Sequence, residues 1–364
     1  MAATTALVRP HPNATARAGH RLSTRDLGPQ WYAGVMGTAI VATAGAAVGL
    51  PAAALVPVWV LSAVLLATLL AARAVHWTRH PDRAREQLAD PAVAPFYGCL
   101  SMALLAVGAA TTAVGGRVTG ADAAFAVHAG LWAAGTAVGL VAAVAVPYLM
   151  VVGHRVRPGA ASPVWLLPVV APMVSAATGP ALAPRLPAGQ WRESLLLGCF
   201  AMFGLSLLAT LLILPLVFAR LVDRGPLPLA LTPALFLVLG PLGQSTTAAG
   251  ALAGGSAAVP AAFATLYGVP VLGFALLWLA LAGALVVRAV RRGMPFALTW
   301  WAFTFPVGTC VTGAAGLAEH TGLTAFRGLA VLLYGLLAAA WLTAAVRTGT
   351  AVARGDLLAA RSEP

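Results

Sequence analysis

The chain has 364 residues, of which 60% are hydrophobic and only 9% charged, with a formal net charge of +12. A soluble globular chain is about 25% charged, so this composition excludes a water-facing surface and makes lipid the solvent. All 22 basic residues are arginine, spread through short polar gaps between apolar runs rather than gathered in one patch, which excludes a nucleic-acid-binding face.

Residues 1–27 are polar, rich in Ala, Arg and Thr, and lack the apolar core of a signal peptide. They are expected to form a disordered cytoplasmic tail, on which the sequon at Asn13 would carry no meaning. From residue 28 to 350 the chain reads as one membrane domain, followed by a cytoplasmic C-terminal tail, 351–364. A spanning helix needs about 20 apolar residues. That ruler gives ten spans, roughly 29–50, 52–75, 96–116, 122–152, 162–184, 192–220, 228–252, 258–288, 295–318 and 323–347. Short turns pair them into five hairpins. The longest link, 76–95, reads as a solvated helix or loop. Its His76 and His80 stand four residues apart with no third ligand, so no metal site is expected there. Cys99, Cys199 and Cys310 lie inside apolar runs at no metal-binding spacing and read as buried free thiols.

Ten spans place both termini on one side. Eighteen arginines fall on that side and four, Arg117, Arg185, Arg192 and Arg327, on the other. Positively charged loops stay in the cytoplasm, so both termini are expected to be cytoplasmic and the chain to sit in the cytoplasmic membrane.

Ionisable residues inside the spans are nearly absent. Asp122, Glu193, Glu319 and His320 fall at outer ends, and His128 is read as lying near the outer headgroups of a long, tilted span. Proton relays use chains of Asp, Glu or His, and hydrolytic or transferase chemistry needs carboxylates, a metal or an activated nucleophile. An integral-membrane enzyme acting on lipid is the competing class, and none of its groups is in the sequence; no cofactor is expected either. The polar residues are small and neutral instead, and they concentrate in the odd-numbered spans. Gly37 and Thr38 lie in the first, Gly98 and Ser101 in the third, and Pro172 and Ser175 in the fifth. Gly240, Gln244 and Ser245 lie in the seventh, and Pro306 and Thr309 in the ninth. Kinked or irregular backbone at membrane depth is tolerated where it lines a cavity. The pattern therefore predicts an all-α membrane protein with five inner, small-residue helices around a central pore and five apolar helices facing lipid. A neutral, hydroxyl-lined path without fixed acids suits an anion, because helix N-termini and hydroxyl donors can replace its water.

Four motifs, WYAGVMGTAIV, HP…DPAVAPFYG, GPLGQS at 240–245 and WWAFTFPVGT at 300–309, resemble the tellurite-resistance/dicarboxylate transporter family. That family takes in malate permeases, sulfite efflux pumps, the bacterial TehA and plant slow anion channels. The resemblance covers about residues 28–350. It implies ten helices in five hairpins, a quasi-five-fold central pore lined by the odd spans, and a homotrimer with one pore per subunit. The implied substrates are C4-dicarboxylates, sulfite or small inorganic anions. In one branch a phenylalanine on the ninth span plugs the pore, and the motif places it at Phe305, with Phe303 the alternative one register away. Phe305 is accordingly the expected gate, aimed by a kink at Pro306. Gly37, Thr38, Pro172, Ser175, Gly240, Gln244, Ser245, Pro306 and Thr309 are the expected pore lining.

Overall fold

A computed structural model describes residues 25–153, 156, 159–256, 258–355 and 357. Most of the expected N-terminal tail with Asn13, the loop arginines Arg155 and Arg157, and the end of the C-terminal tail lie outside the described residues. Within them every regular element is a helix. We label the principal segments α1 (Tyr32–Ala47), α2 (Ala52–Arg79), α3 (Ala94–Thr119), α4 (Ala121–Val152), α5 (Pro163–Arg185), α6 (Gln190–Arg224), α7 (Leu229–Leu252), α8 (Phe263–Arg291), α9 (Leu298–Thr321) and α10 (Thr324–Ala353). A short amphipathic helix, Pro81–Ala89, joins α2 to α3.

Nine of these segments, α2 to α10, are long and apolar enough to cross a bilayer among the described residues. The expected count of ten is not reached by that measure. The 16 residues of α1, at about 1.5 Å of rise each, fall short of a hydrocarbon core about 30 Å thick. Only the turn Pro29–Trp31 extends it.

Burial separates two classes of helix. In α3, α5, α7 and α9, 78–83% of the most apolar stretch is buried, against 17–28% in α2, α4, α6, α8 and α10. The first class, with α1, closes a ring: α1 packs on α3, α3 on α5, α5 on α7, α7 on α9 and α9 back on α1. Each even helix packs against its own hairpin partner and the next inner helix. Side chains such as Leu212, Val144 and Leu332 on the outer helices are more than 70% exposed, as a lipid-facing surface requires.

Small residues let the ring close. A Cβ on Gly98 would lie 2.4 Å from the Leu167 carbonyl oxygen, and one on Gly243 would lie 2.5 Å from the Cys310 backbone nitrogen. The backbones of α3 and α5, and of α7 and α9, therefore meet with no room for a methyl group.

All five inner helices share one construction. Each begins with a 3-10 segment before the α-helix proper: Pro29–Trp31, Ala94–Tyr97, Pro163–Trp165, Leu229–Val238 and Leu298–Phe303. The last of these corrects one sequence expectation. Pro306 does not kink a continuous helix; it lies in the first turn of Phe305–Thr321, after a break at Thr304 (φ −97°, ψ −78°). Proline costs nothing there, because first-turn N–H groups have no partner within the helix.

One arginine, at the end of the bundle where α1 begins, has a structural task. Arg73 is 5% exposed. Its guanidinium donates to the Leu27 carbonyl, to Gln87 Oε1 at 2.9 Å and to the Tyr97 hydroxyl at 3.3 Å, tying the segment before α1 to the link and to α3. Arg73→Met is expected to leave those acceptors unpaired, at about 1–3 kcal/mol per buried group, and to lower the thermal midpoint in detergent by several degrees. An unchanged midpoint would show that the clamp contributes nothing.

Candidate functional site: an axial row of cavities

Four cavities follow one another along the inside of the ring, and all five inner segments line each of them. Their order is the same on every helix. At the N-terminal ends of the odd helices, Gln30, Phe96, Trp165, Leu231 and Leu298 line an inner cavity of about 740 Å³. One turn on, Ala33, Cys99, Leu167, Leu237 and Ala302 surround a gap of about 20 Å³. Next come Met36, Met102, Val170, Gly240, Phe305 and Pro306 around about 10 Å³. The C-terminal halves then open into an outer cavity of about 350 Å³. The odd helices are therefore parallel, and the axis narrows to an apolar throat between two wide mouths.

Phe305 is the residue common to the throat and the outer cavity. It is 2% exposed and opens the α-helical part of α9, so the Thr304 break fixes its place on the axis. Phe303 is directed elsewhere: its ring packs edge-on against Phe236, with centroids 4.8 Å apart.

The other expected lining residues divide. Gly240 and Pro306 line the throat, and Gln244 lines the outer cavity. A Cβ on Gly240 would meet nothing within 4 Å, so its small size keeps the axis open. The remaining six do not appear on the walls of these cavities. Gly37 meets α9, where a Cβ would lie 2.2 Å from Thr304 Oγ1. Thr38 accepts a hydrogen bond from Trp341 Nε1 at 3.1 Å, and Ser175 accepts one from Thr136 Oγ1 at 2.9 Å; both side chains thus face outer helices. Ser245 donates to the Leu242 carbonyl at 3.0 Å and Thr309 to the Pro306 carbonyl at 2.7 Å. Pro172 is buried within α5.

The lining that sequence reasoning missed is of two kinds. The throat is made by ordinary core residues, Met36, Met102, Leu167, Val170 and Leu237, which nothing distinguishes from packing. The outer cavity carries one threonine from every inner helix: Thr43, Thr112, Thr178, Thr247 and Thr312. A threonine near the outer end of each odd span was the available signal. Thr247 and Thr312 are within 2.8 Å of each other, and Thr178 bonds its own helix at Val174. His128 also lines this cavity and is fully buried. It lies in the cavity wall, packed against the inner helix α3.

No carboxylate and no arginine lines any of the four cavities among the described residues. Of the acids at that end, Asp122 pairs with Arg185, Glu193 accepts from Ser256 Oγ at 2.7 Å, and Glu319 is exposed. The axis is lined by apolar side chains, hydroxyls, the amides of Gln30 and Gln244 and the imidazole of His128.

A family model described as voltage-dependent anion channel matches residues 26–349. The chain belongs to the voltage-dependent anion channel family. This is the family to which the four motifs pointed, and the match takes in all ten helices nearly to the end of α10. Among its relatives is an uncharacterized transporter of Methanocaldococcus jannaschii, 25% identical over 347 residues, covering 90% of this chain and 94% of that one. A sulfite efflux pump of Arthroderma otae is 27% identical over 335 residues, covering 86% and 87%. A sulfite efflux pump of Trichophyton rubrum is 27% identical over 314 residues, covering 80% and 82%. The chain is thus a multi-pass membrane protein of an anion-transporting family, built from helices around a central axis.

Proposed function

We propose that the axis is the route of anion transport and that Phe305 closes it. The observation that carries this reading is the position of Phe305, shared by a throat of about 10 Å³ and an outer cavity of about 350 Å³. A single water needs about 10–15 Å³ of such space, so a throat of this size bars a hydrated anion, and a bulky apolar constriction closes a pore by dewetting. Gly240 and Pro306 form the throat beside the ring, and Gln244 with the five threonines offers hydrogen bonds beyond it. The inner helix N-termini gather at the inner cavity, where their partial positive charge favours an anion.

The substrate is a small oxyanion, with sulfite first because sulfite efflux pumps are among the relatives, ahead of C4-dicarboxylates and small inorganic anions. Movement is passive or driven by membrane potential, since the axis offers no carboxylate to carry a proton. The protein works in the cytoplasmic membrane with both termini in the cytoplasm, the side that carries most of its arginines. It assembles as a homotrimer with one axis per subunit, as the family resemblance implies, and the bare apolar faces of the even helices are available for that contact.

Flux in proteoliposomes at clamped potential, compared for sulfite, malate, nitrate and chloride, tests the reading. Sulfite is expected to pass fastest. Absence of flux for all four anions in folded wild type and folded Phe305→Ala alike would discard the axial route.

A further inference from the structure

Two buried side-chain atoms of the outer cavity wall have no hydrogen-bond partner: His128 Nε2 and Gln244 Oε1. His128 is 0% exposed and Gln244 4%. Buried polar atoms in folded proteins are nearly always paired, so two orphans on one cavity wall mark a place where a ligand completes the set. The other ring nitrogen of His128 is already committed: Nδ1 lies 2.9 Å from Thr112 Oγ1. That hydroxyl also lies 3.1 Å from the Ala109 carbonyl and 3.4 Å from the Gly108 carbonyl; where it donates to either of these, it accepts from Nδ1–H. The neutral ring then presents a lone pair at Nε2. Such an acceptor calls for a ligand that brings a proton of its own.

We propose that the outer cavity holds a binding site for an oxyanion that keeps an acidic hydroxyl, such as hydrogensulfite or a half-protonated dicarboxylate. The ligand O–H donates to His128 Nε2. Its charged oxygens take hydrogen bonds from the Gln244 amide, turned to present N–H, and from threonine hydroxyls that rotate away from the carbonyls of their own helices, such as Thr178 from Val174 and Thr247 from Gly243. Chloride and nitrate have no proton to give and leave Nε2 unpaired, so the site separates anions by whether they carry an O–H. The inference deepens the transport reading and rests on it for the charge of the ligand.

Equilibrium binding to the full chain in detergent, read as thermal stabilisation, tests the site without needing flux. Hydrogencarbonate and nitrate are the probes: both are planar monoanions of one central atom and three oxygens, and only the first carries an O–H. A site built to pair a hydroxyl rejects the analogue that lacks it, so hydrogencarbonate is expected to stabilise at concentrations at least about tenfold lower than nitrate. His128→Phe is expected to erase that difference, with His128→Leu as the replacement if it fails to fold, and Gln244→Leu is expected to weaken stabilisation by both anions. Equal action of the two anions on the wild type, or a preference that survives loss of the imidazole, would overturn the site. A preference without flux in liposomes, in wild type and Phe305→Ala alike, would keep the site and discard the route, whereas flux without a preference would discard the site alone.

Discussion

Phe305→Ala is expected to raise anion flux through the protein on the order of tenfold or more, since each ~1.4 kcal/mol taken off a barrier is worth a factor of ten. The ring stands where the 10 Å³ throat meets the 350 Å³ outer cavity, and its neighbours there, Met36, Met102 and Val170, are themselves buried. Removing it joins the two spaces and lets water enter the narrowest point of the axis. Truncating a buried phenylalanine also costs about 3–5 kcal/mol of stability, so the variant must be shown to be folded before its flux is read. Phe305→Leu, which keeps most of the bulk, is expected to stay closed. Flux in Phe305→Ala no greater than in the wild type would mean that the ring packs the core and gates nothing.

The second large effect separates glycines that hold the ring together from one that lines it. Gly243→Ala would place a methyl group 2.5 Å from the Cys310 backbone nitrogen and 2.6 Å from the Thr309 carbonyl carbon. Backbone cannot step aside as a side chain can, so α7 and α9 must part, and overpacking of this kind costs about 1–3 kcal/mol or more. The protein is expected to melt several degrees lower or to be lost in purification. Gly240, three residues earlier, has open space where its Cβ would stand and lines the throat. Gly240→Ala is expected to fold at wild-type stability and, combined with Phe305→Ala, to lower the flux that the single variant opens. Thermal midpoints and flux measured side by side decide the matter: if both glycines behave alike in both assays, packing and lining are not distinct tasks here.

Much of this was legible in the chain because lipid imposes two strong rules. Spans must be long and apolar, and each backbone group must find its partner inside the protein. The first rule placed the helices within a few residues, except that α8 begins at Phe263, α10 runs on to Ala353 and α1 is short. The second made the clusters of Gly, Pro and Thr in odd spans conspicuous, and those spans are the buried ones. Which face of each odd helix meets the axis was not legible. Thr38, Ser175 and Thr309 are as small and polar as Thr43, Thr178 and Thr312, yet only the second set lines the outer cavity. Within a helix buried on all sides there is no polar stripe to give the rotation. The shared 3-10 entry was visible and unread: Pro29-Gln30-Trp31, Pro95-Phe96-Tyr97 and Pro163-Val164-Trp165 repeat a proline and an aromatic two places on. WWAFTFP misled for a related reason, since a proline within a long apolar run looks like a kink when a helix has in fact restarted.

Whether anions travel along the axis is tested most directly by blocking it. Ala109 lines the outer cavity from α3, and the native thiols Cys99, Cys199 and Cys310 are buried. Ala109→Cys in the Phe305→Ala background, treated from outside with a bulky charged thiol reagent while current is recorded at fixed potential, is expected to lose most of its current and to recover it on reduction. Phe305→Ala alone should be unaffected by the reagent. Full modification of Ala109→Cys with the current unchanged would place the anion route outside the ring of inner helices.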